Sequence, residues 1–205
     1  MTVADKRPTG NRLRILCLHG YEQDSAIFRT KLRQHTDNLA GIADFVFVDA
    51  PNVLHPFDVN GVDNMSRAAA ARSGASLNRT IKGWYWLKSA EPEEVCGLET
   101  SIAFLESVLD EQGPFDGGLM AGVLCSLLEN RPKELRACAH RPFAFAIIAS
   151  GYKLSDPRWT WLYERPLRTP SLHMYGILDS LIHISKSIDL CRAFARSTEL
   201  STHGG

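Results

Sequence analysis

Neither sign of charge prevails in this 205-residue chain. Lys plus Arg and Asp plus Glu number 23 each, so no net field steers nucleic acid or an anionic membrane surface toward it. Long hydrophobic runs are missing too. No apolar stretch approaches the roughly 20 residues that a bilayer span requires, and the polar segment Met1–Asn11 lacks the apolar centre of a signal peptide. The five cysteines (Cys17, Cys96, Cys125, Cys138 and Cys191) are too scattered for a Cys-x-x-Cys metal or redox site. They lie mostly in apolar runs and are expected as free thiols in a reducing cytoplasm. No glycine-rich piece has the spacing of a phosphate loop or a dinucleotide fingerprint, so no nucleotide, flavin or metal cofactor is expected. Internal repeats and coiled-coil heptads are absent.

What is present is ordinary globular composition, 44% hydrophobic and 22% charged, in a chain long enough for one domain with a substantial core. Residues 1–12 read as a polar tail and 13–205 as that domain. Strand-like and helix-like periodicities alternate along it, which predicts an α/β fold: a mostly parallel sheet with helices on both faces. Leu13–Leu18, Phe45–Val48, Phe143–Ala149 and Leu172–Tyr175 read as strands. Ser25 is expected to cap a helix carrying Phe28, Leu32 and Leu39 on one side. Leu98, Ile102, Leu105 and Leu109 form a second helical stripe, stopped by Gly113-Pro114. A last helix is expected from Ser185 to Arg196. The segment Asn52–Thr80 breaks the alternation and reads either as a lid over a site or as a plain surface loop.

The chemistry starts at Leu18-His19-Gly20, where the first strand ends. A strand closing in His-Gly and turning into a polar loop can aim the backbone N–H of Tyr21 at a developing alkoxide. The same pair also serves as a simple turn. Beyond it stand Phe45 to Pro51, Gly83-Trp84-Tyr85-Trp86, Gly113-Pro114-Phe115-Asp116-Gly117, Ser150-Gly151-Tyr152 and Gly176-Ile177-Leu178-Asp179, in that order. Together with Leu18-His19-Gly20-Tyr21-Glu22-Gln23, this ordered set resembles the fungal serine hydrolase family. Its members are small α/β-hydrolases related to the human ovarian-cancer-associated serine hydrolase. The family includes esterases and thioesterases of fungal polyketide clusters.

The resemblance implies an α/β-hydrolase-like fold and a triad acid at Asp179, after a late strand, where it would hold the Nδ1–H of a catalytic imidazole. Asp179 could equally cap the turn that follows it. The family places a Gly-x-Ser-x-Gly elbow after its Gly-Pro-Phe-Asp-Gly block. Here the matching glycines are Gly118 and Gly122, and the central residue is Met120, whose thioether has no proton to lose. Cys125 and Ser126, a turn into the following helix, read as packing residues. The family's last strand leads to a block resembling His-x-Gly-Gly-His, whose final His is the base. This chain reads Thr202-His203-Gly204-Gly205, so only His203 stands nearby as a candidate. His35, His55, His140, His173 and His183 have nearer structural explanations.

Trp84 and Trp86 are candidate walls of an acyl pocket, with core packing or loop anchoring as the other use of such residues. The implied partner is a small acyl ester or thioester, free or bound to a carrier protein, with no nucleic acid and no membrane. The family's relatives also carry a further helix after the histidine loop. Without its cover, apolar surface near the last strands is expected to face water. Lacking both nucleophile and base, the chain is expected to retain at most the ~10³–10⁴-fold effect of oxyanion and binding groups.

Overall fold

Six parallel strands form the centre of the molecule, in the order Ser197–Thr202, Ser171–Gly176, Phe145–Ala149, Gly117–Leu119, Leu13–Leu18 and Ala43–Val48 across the sheet. The computed structural model describes residues 12–21, 23–54, 81–90, 92–131, 138–177, 179 and 182–202. In chain order the sheet strands are β1 (Leu13–Leu18), β2 (Ala43–Val48), β7 (Gly117–Leu119), β8 (Phe145–Ala149), β9 (Ser171–Gly176) and β10 (Ser197–Thr202). Two short antiparallel ribbons stand apart from it: β3 (Asn52–Leu54) with β4 (Ile81–Gly83), and β5 (Trp86–Ala90) with β6 (Glu93–Cys96). The helices are α1 (Ser25–Asn38), α2 (Leu98–Gln112), α3 (Gly122–Asn130) and α4 (Ile184–Arg192), with a 3-10 helix at Pro157–Tyr163.

The period-two alternation of the strands divides the core. Ile15, Cys17 and Ala43 pack with Phe28 of α1 on one face. Leu16, Leu18, Val48, Ala146 and Ile148 pack with residues of α2, α3 and α4 on the other. Apolar residues on both sides of a strand are what a parallel sheet covered on two faces demands. The cover is uneven. On the face opposite Ala146 and Ile148, Phe145, Ile147, Leu172 and Met174 are only half-buried, and Leu200 of β10 is 47% exposed. Apolar strand surface on this face is thus partly open to water.

Several local expectations change. Asp24, not Ser25, caps α1: its extended backbone lets Oδ1 accept the Ile27 N–H at 2.8 Å. Ser25 instead donates its N–H to Asp49 Oδ1 at 2.7 Å, tying α1 to the end of β2. Arg12, assigned to the tail, belongs to the domain, because its guanidinium pairs with Asp44 at 2.7 Å. Asn52–Leu54 is a strand rather than the start of a loop. Its Asn52 Nδ2 lies 3.0–3.2 Å from the carbonyls of Gly83, Trp84 and Gly97 and from Ser101 Oγ, so one side chain pins both ribbons to α2. The rest of the lid-or-loop segment, 55–80, and residues 1–11 lie outside the described residues. Strand pairing at β8 begins at Phe145, opposite Gly117, and Phe143 packs ahead of it. The last helix stops at Arg192, because Phe194 leaves it to bridge Leu167 and to set its ring against His173 at 5.0 Å.

His173 is 2% exposed in the middle of β9, with Nε2 3.0 Å from Ser171 Oγ. Burial disfavours its imidazolium more than nearby Glu199 favours it, and its pKa falls to about 4 from 6.5. The unfolded chain therefore binds the extra proton first. Stability from this residue is complete above pH 6.5 and is lost as the pH falls toward 4, by at most about 3 kcal/mol. Urea unfolding between pH 7 and pH 4 is expected to show this slope, and His173→Leu to flatten it; an unchanged slope in the variant would refute the assignment.

Candidate functional site

Strand order reverses its direction of growth at β1: β2 lies on one side and β7 on the other. In open parallel sheets the carboxyl ends of the strands at such a switch point frame a crevice. Registers of Cys17 with Leu119, Leu119 with Ile147, and Ala149 with Met174 align the turns after β1, β7, β8 and β9 along this one edge. Those turns hold His19-Gly20-Tyr21, Met120, Ser150-Gly151-Tyr152 and Asp179.

Met120 occupies the sharp turn between β7 and α3 with φ of +60°, a left-handed backbone that costs an L-residue about 1–2 kcal/mol. Two hydrogen bonds to β8 hold it. Its N–H donates to Ile147 O at 2.7 Å, and its Sδ accepts the Ala149 N–H at 3.2 Å. The thioether is thus turned back onto the neighbouring strand. Gly118 is required for this turn, since a Cβ there would lie 2.6 Å from Ala121 Cβ and 2.9 Å from the Phe143 ring. Gly122, where α3 begins, meets only ordinary contacts. Cys125 and Ser126 are both buried; Ser126 Oγ donates to Gly122 O at 3.2 Å, and burial pushes the Cys125 thiol well above its usual range. Neither side chain serves the turn.

Asp179 follows β9, and its Oδ1 accepts the Ile182 N–H at 3.0 Å, closing a turn as the capping alternative anticipates. His183 caps α4, with Nδ1 2.8 Å from Ser185 Oγ. His203 lies outside the described residues; the last paired residue of β10, Thr202, stands opposite Gly176 at the end of β9. His140 Nε2 accepts the Phe115 N–H at 2.8 Å, ahead of β7 and away from this edge.

Of the two tryptophans, Trp84 braces the loop after β1. Trp84 Nε1–H donates to His19 O at 2.9 Å, with its ring 5.4 Å from the imidazole. Trp86 packs against Gly97, where an added Cβ would lie 2.2 Å from its ring. Sequence reasoning passed over a group of three tyrosines packed against the core. Tyr85 and Tyr152 meet edge to face at 6.2 Å, Tyr163 joins them, and burial pushes all three hydroxyls above their usual range. Lys186 Nζ lies 5.4 Å above the Tyr152 ring. Tyr152 and Tyr85 both fall in quoted blocks, but nothing in the sequence pairs them. A second ionic group braces the rim: Lys82 contacts Asp49 at 2.7 Å. Burial works against the Asp49 carboxylate, but Lys82 and the Ser25 N–H outweigh it and hold its pKa at about 2.

Among the described residues, no cluster of His, Cys, Asp and Glu is suited to a metal ion. The turns along this edge thus hold Met120, Tyr152, Asp179 and the His19-Gly20-Tyr21 loop. The thioether of Met120 has no proton to lose and cannot serve as the nucleophile of an acyl transfer.

This six-stranded parallel sheet with turns gathered at the switch point is an α/β-hydrolase fold. Residues 9–205 match the family described as Serine hydrolase (FSH1), and the chain belongs to that family. It is 29% identical over 203 residues to an esterase of Drosophila pseudoobscura pseudoobscura, covering 95% of this chain and 65% of that protein. It is 30% identical over 209 residues to esterase OVCA2 of Danio rerio, covering 94% of this chain and 88% of that one. The chain thus spans about two thirds of the fruit-fly esterase and most of the fish one. The crystal structure of Zea mays acyl-protein thioesterase 2 superposes with a TM-score of 0.59 at 16% identity, covering 96% of this chain and 87% of that one. That likeness concerns the fold.

Trp84→Phe keeps one aromatic ring but removes the pyrrole half of the indole together with its donor to His19 O. The expected cost is about 0.5–1.5 kcal/mol in urea unfolding; an unaltered midpoint would show that the bond carries no stability.

Proposed function

We propose that this chain binds a small acyl ester or thioester at the carboxyl edge of its sheet and does not turn it over. The observation that carries the reading is Met120, standing at φ +60° in the turn between β7 and α3 and spending its sulfur on the Ala149 N–H. A serine there would supply the nucleophile of an acyl transfer; a thioether supplies none. Family membership and the esterase names of its relatives support an acyl ester or thioester as the ligand. On this reading Asp179 is the surviving acidic member of the triad and His203 the nearest candidate for its base. His19, Gly20 and Tyr21 form the loop that receives the acyl oxygen. Trp84 supports that loop through His19 O, and Trp86 remains a candidate wall of the acyl pocket.

The finer assignment extends the resemblance: a polyketide-type acyl chain, free or delivered by a carrier protein, in the cytoplasm. All five cysteines are free, which suits a reducing compartment. Catalysis by the missing pair is worth on the order of a millionfold in a triad enzyme, so binding outlasts chemistry here.

The test pairs a covalent probe with a binding measurement. A fluorophosphonate probe is expected to leave the protein unlabelled and p-nitrophenyl hexanoate unhydrolysed above background. Isothermal titration is expected to detect S-hexanoyl-N-acetylcysteamine. Robust labelling that vanishes in Ser126→Ala would place a nucleophile where none is assigned, and absence of thioester binding would end the reading.

A further inference from the structure

We propose that the cavity between α2 and α3, toward the amino ends of the strands, is a binding site for a compact, uncharged molecule built on a single aromatic ring. The site is separate from the carboxyl edge and does not depend on the acyl-binding reading.

The cavity arises where two helix faces turn toward each other without meeting. On α2, Ile102, Glu106 and Leu109 follow at spacings of four and three and share one side. On α3, Leu124, Leu127 and Leu128 do the same, and Arg131 continues their row just past the last turn. Such ridges normally interlock. Here they enclose about 160 Å³, closed on a third side by Cys138 and His140. Arg131 lies about 13 Å along the helix axis from Gly122, and His140 meets Phe115 ahead of β7. The space is therefore at the far end of α3 from Met120.

Voids of this size are few in a folded domain, because the atoms lining them lose packing contacts. Leu109, Leu124 and Leu127 are buried around this one. A hole of comparable volume with an aliphatic lining takes up benzene rather than water, since a buried water needs several polar partners. The polar groups on the wall are matched within the protein. Glu106 is ion-paired with Arg131, and both side chains are mostly buried. His140 Nε2 accepts the Phe115 N–H at 2.8 Å, so its proton sits on Nδ1 and is donated to Arg141 O at 2.6 Å. A second proton would set an N–H at Nε2 against the Phe115 N–H, so the ring is neutral, and burial lowers its pKa in the same sense. With one cation balanced by one anion, the wall favours an uncharged guest.

The same wall favours a ring over an alkane. A guanidinium, an imidazole and a thiol each interact with an aromatic ring more strongly than with a saturated chain. His140 itself stands among rings, with centroids 6.1 Å from Phe115 and 5.5 Å from Phe143.

Fluorobenzene is the probe, followed by its ¹⁹F resonance in titrations with the full chain. Saturable binding is expected with a dissociation constant of about 1 mM or tighter, together with a higher thermal midpoint. The same ring carrying a charge of either sign, as 4-fluorobenzoate or 4-fluorobenzylammonium, is expected to bind about tenfold more weakly or worse. Leu127→Phe and, from the opposite wall, Cys138→Phe fill the space and are expected to abolish binding. Where one of these variants fails to fold, the other and the charge series in the wild type decide. Absence of saturable binding to the wild type, equal or tighter binding of either charged ring, or undiminished binding to a folded filling variant would each overturn the proposal. Failure of a thioester to bind at the carboxyl edge leaves this result untouched.

Discussion

The structure turns on the left-handed backbone of Met120 and the strand that enforces it. β8 supplies both restraints, an acceptor at Ile147 O and a donor at the Ala149 N–H, within one strand-width of the turn. A side chain other than glycine persists in that region of backbone space only where its surroundings over-determine it. Here the register of β7 against β8, the absence of a Cβ at Gly118 and the start of α3 at Gly122 combine to do so. The turn therefore holds a left-handed backbone whose side chain, a thioether, is tied back to β8.

Around that turn the restraints form one connected set. Asn52 and Ser101 hold the Trp84 carbonyl, Trp84 holds the His19 carbonyl, and the His19 ring reaches Ala50 at the end of β2. Asp49, the residue before Ala50, ties to both α1 and Lys82. These contacts fix where the loop after β1 can go, and loops that present backbone donors to developing charge are useful only when so fixed. No link in this set runs through Met120.

Much of the fold was readable beforehand. β1, β2, β8 and β9 announce themselves as apolar and β-branched runs, and α2 by its stripe from Leu98 to Leu109. The errors have physical causes. Asp24 out-competes Ser25 as the cap because its carboxylate reaches the Ile27 N–H from an extended backbone. The ribbons β3–β4 and β5–β6 are short, and the first is pinned by the side chain of Asn52, which no periodicity records. Phe194 ends α4 early by choosing a ring contact with His173. At the site, the identity of Met120 was legible, but its φ and the direction of its sulfur were not. The tyrosine group joins Tyr85, Tyr152 and Tyr163 from three separate elements, and only the folded chain brings them together.

The central claim is that an acyl group settles beside Met120 and stays intact. The chain has four methionines, so their ¹³C-labelled methyl groups give a spectrum simple enough to follow one of them. Titrated with S-hexanoyl-N-acetylcysteamine, the Met120 methyl is predicted to shift with saturation while the thioester survives an overnight incubation unchanged. Release of hexanoate in proportion to protein concentration, or saturation binding that leaves the Met120 methyl unmoved, would contradict the account.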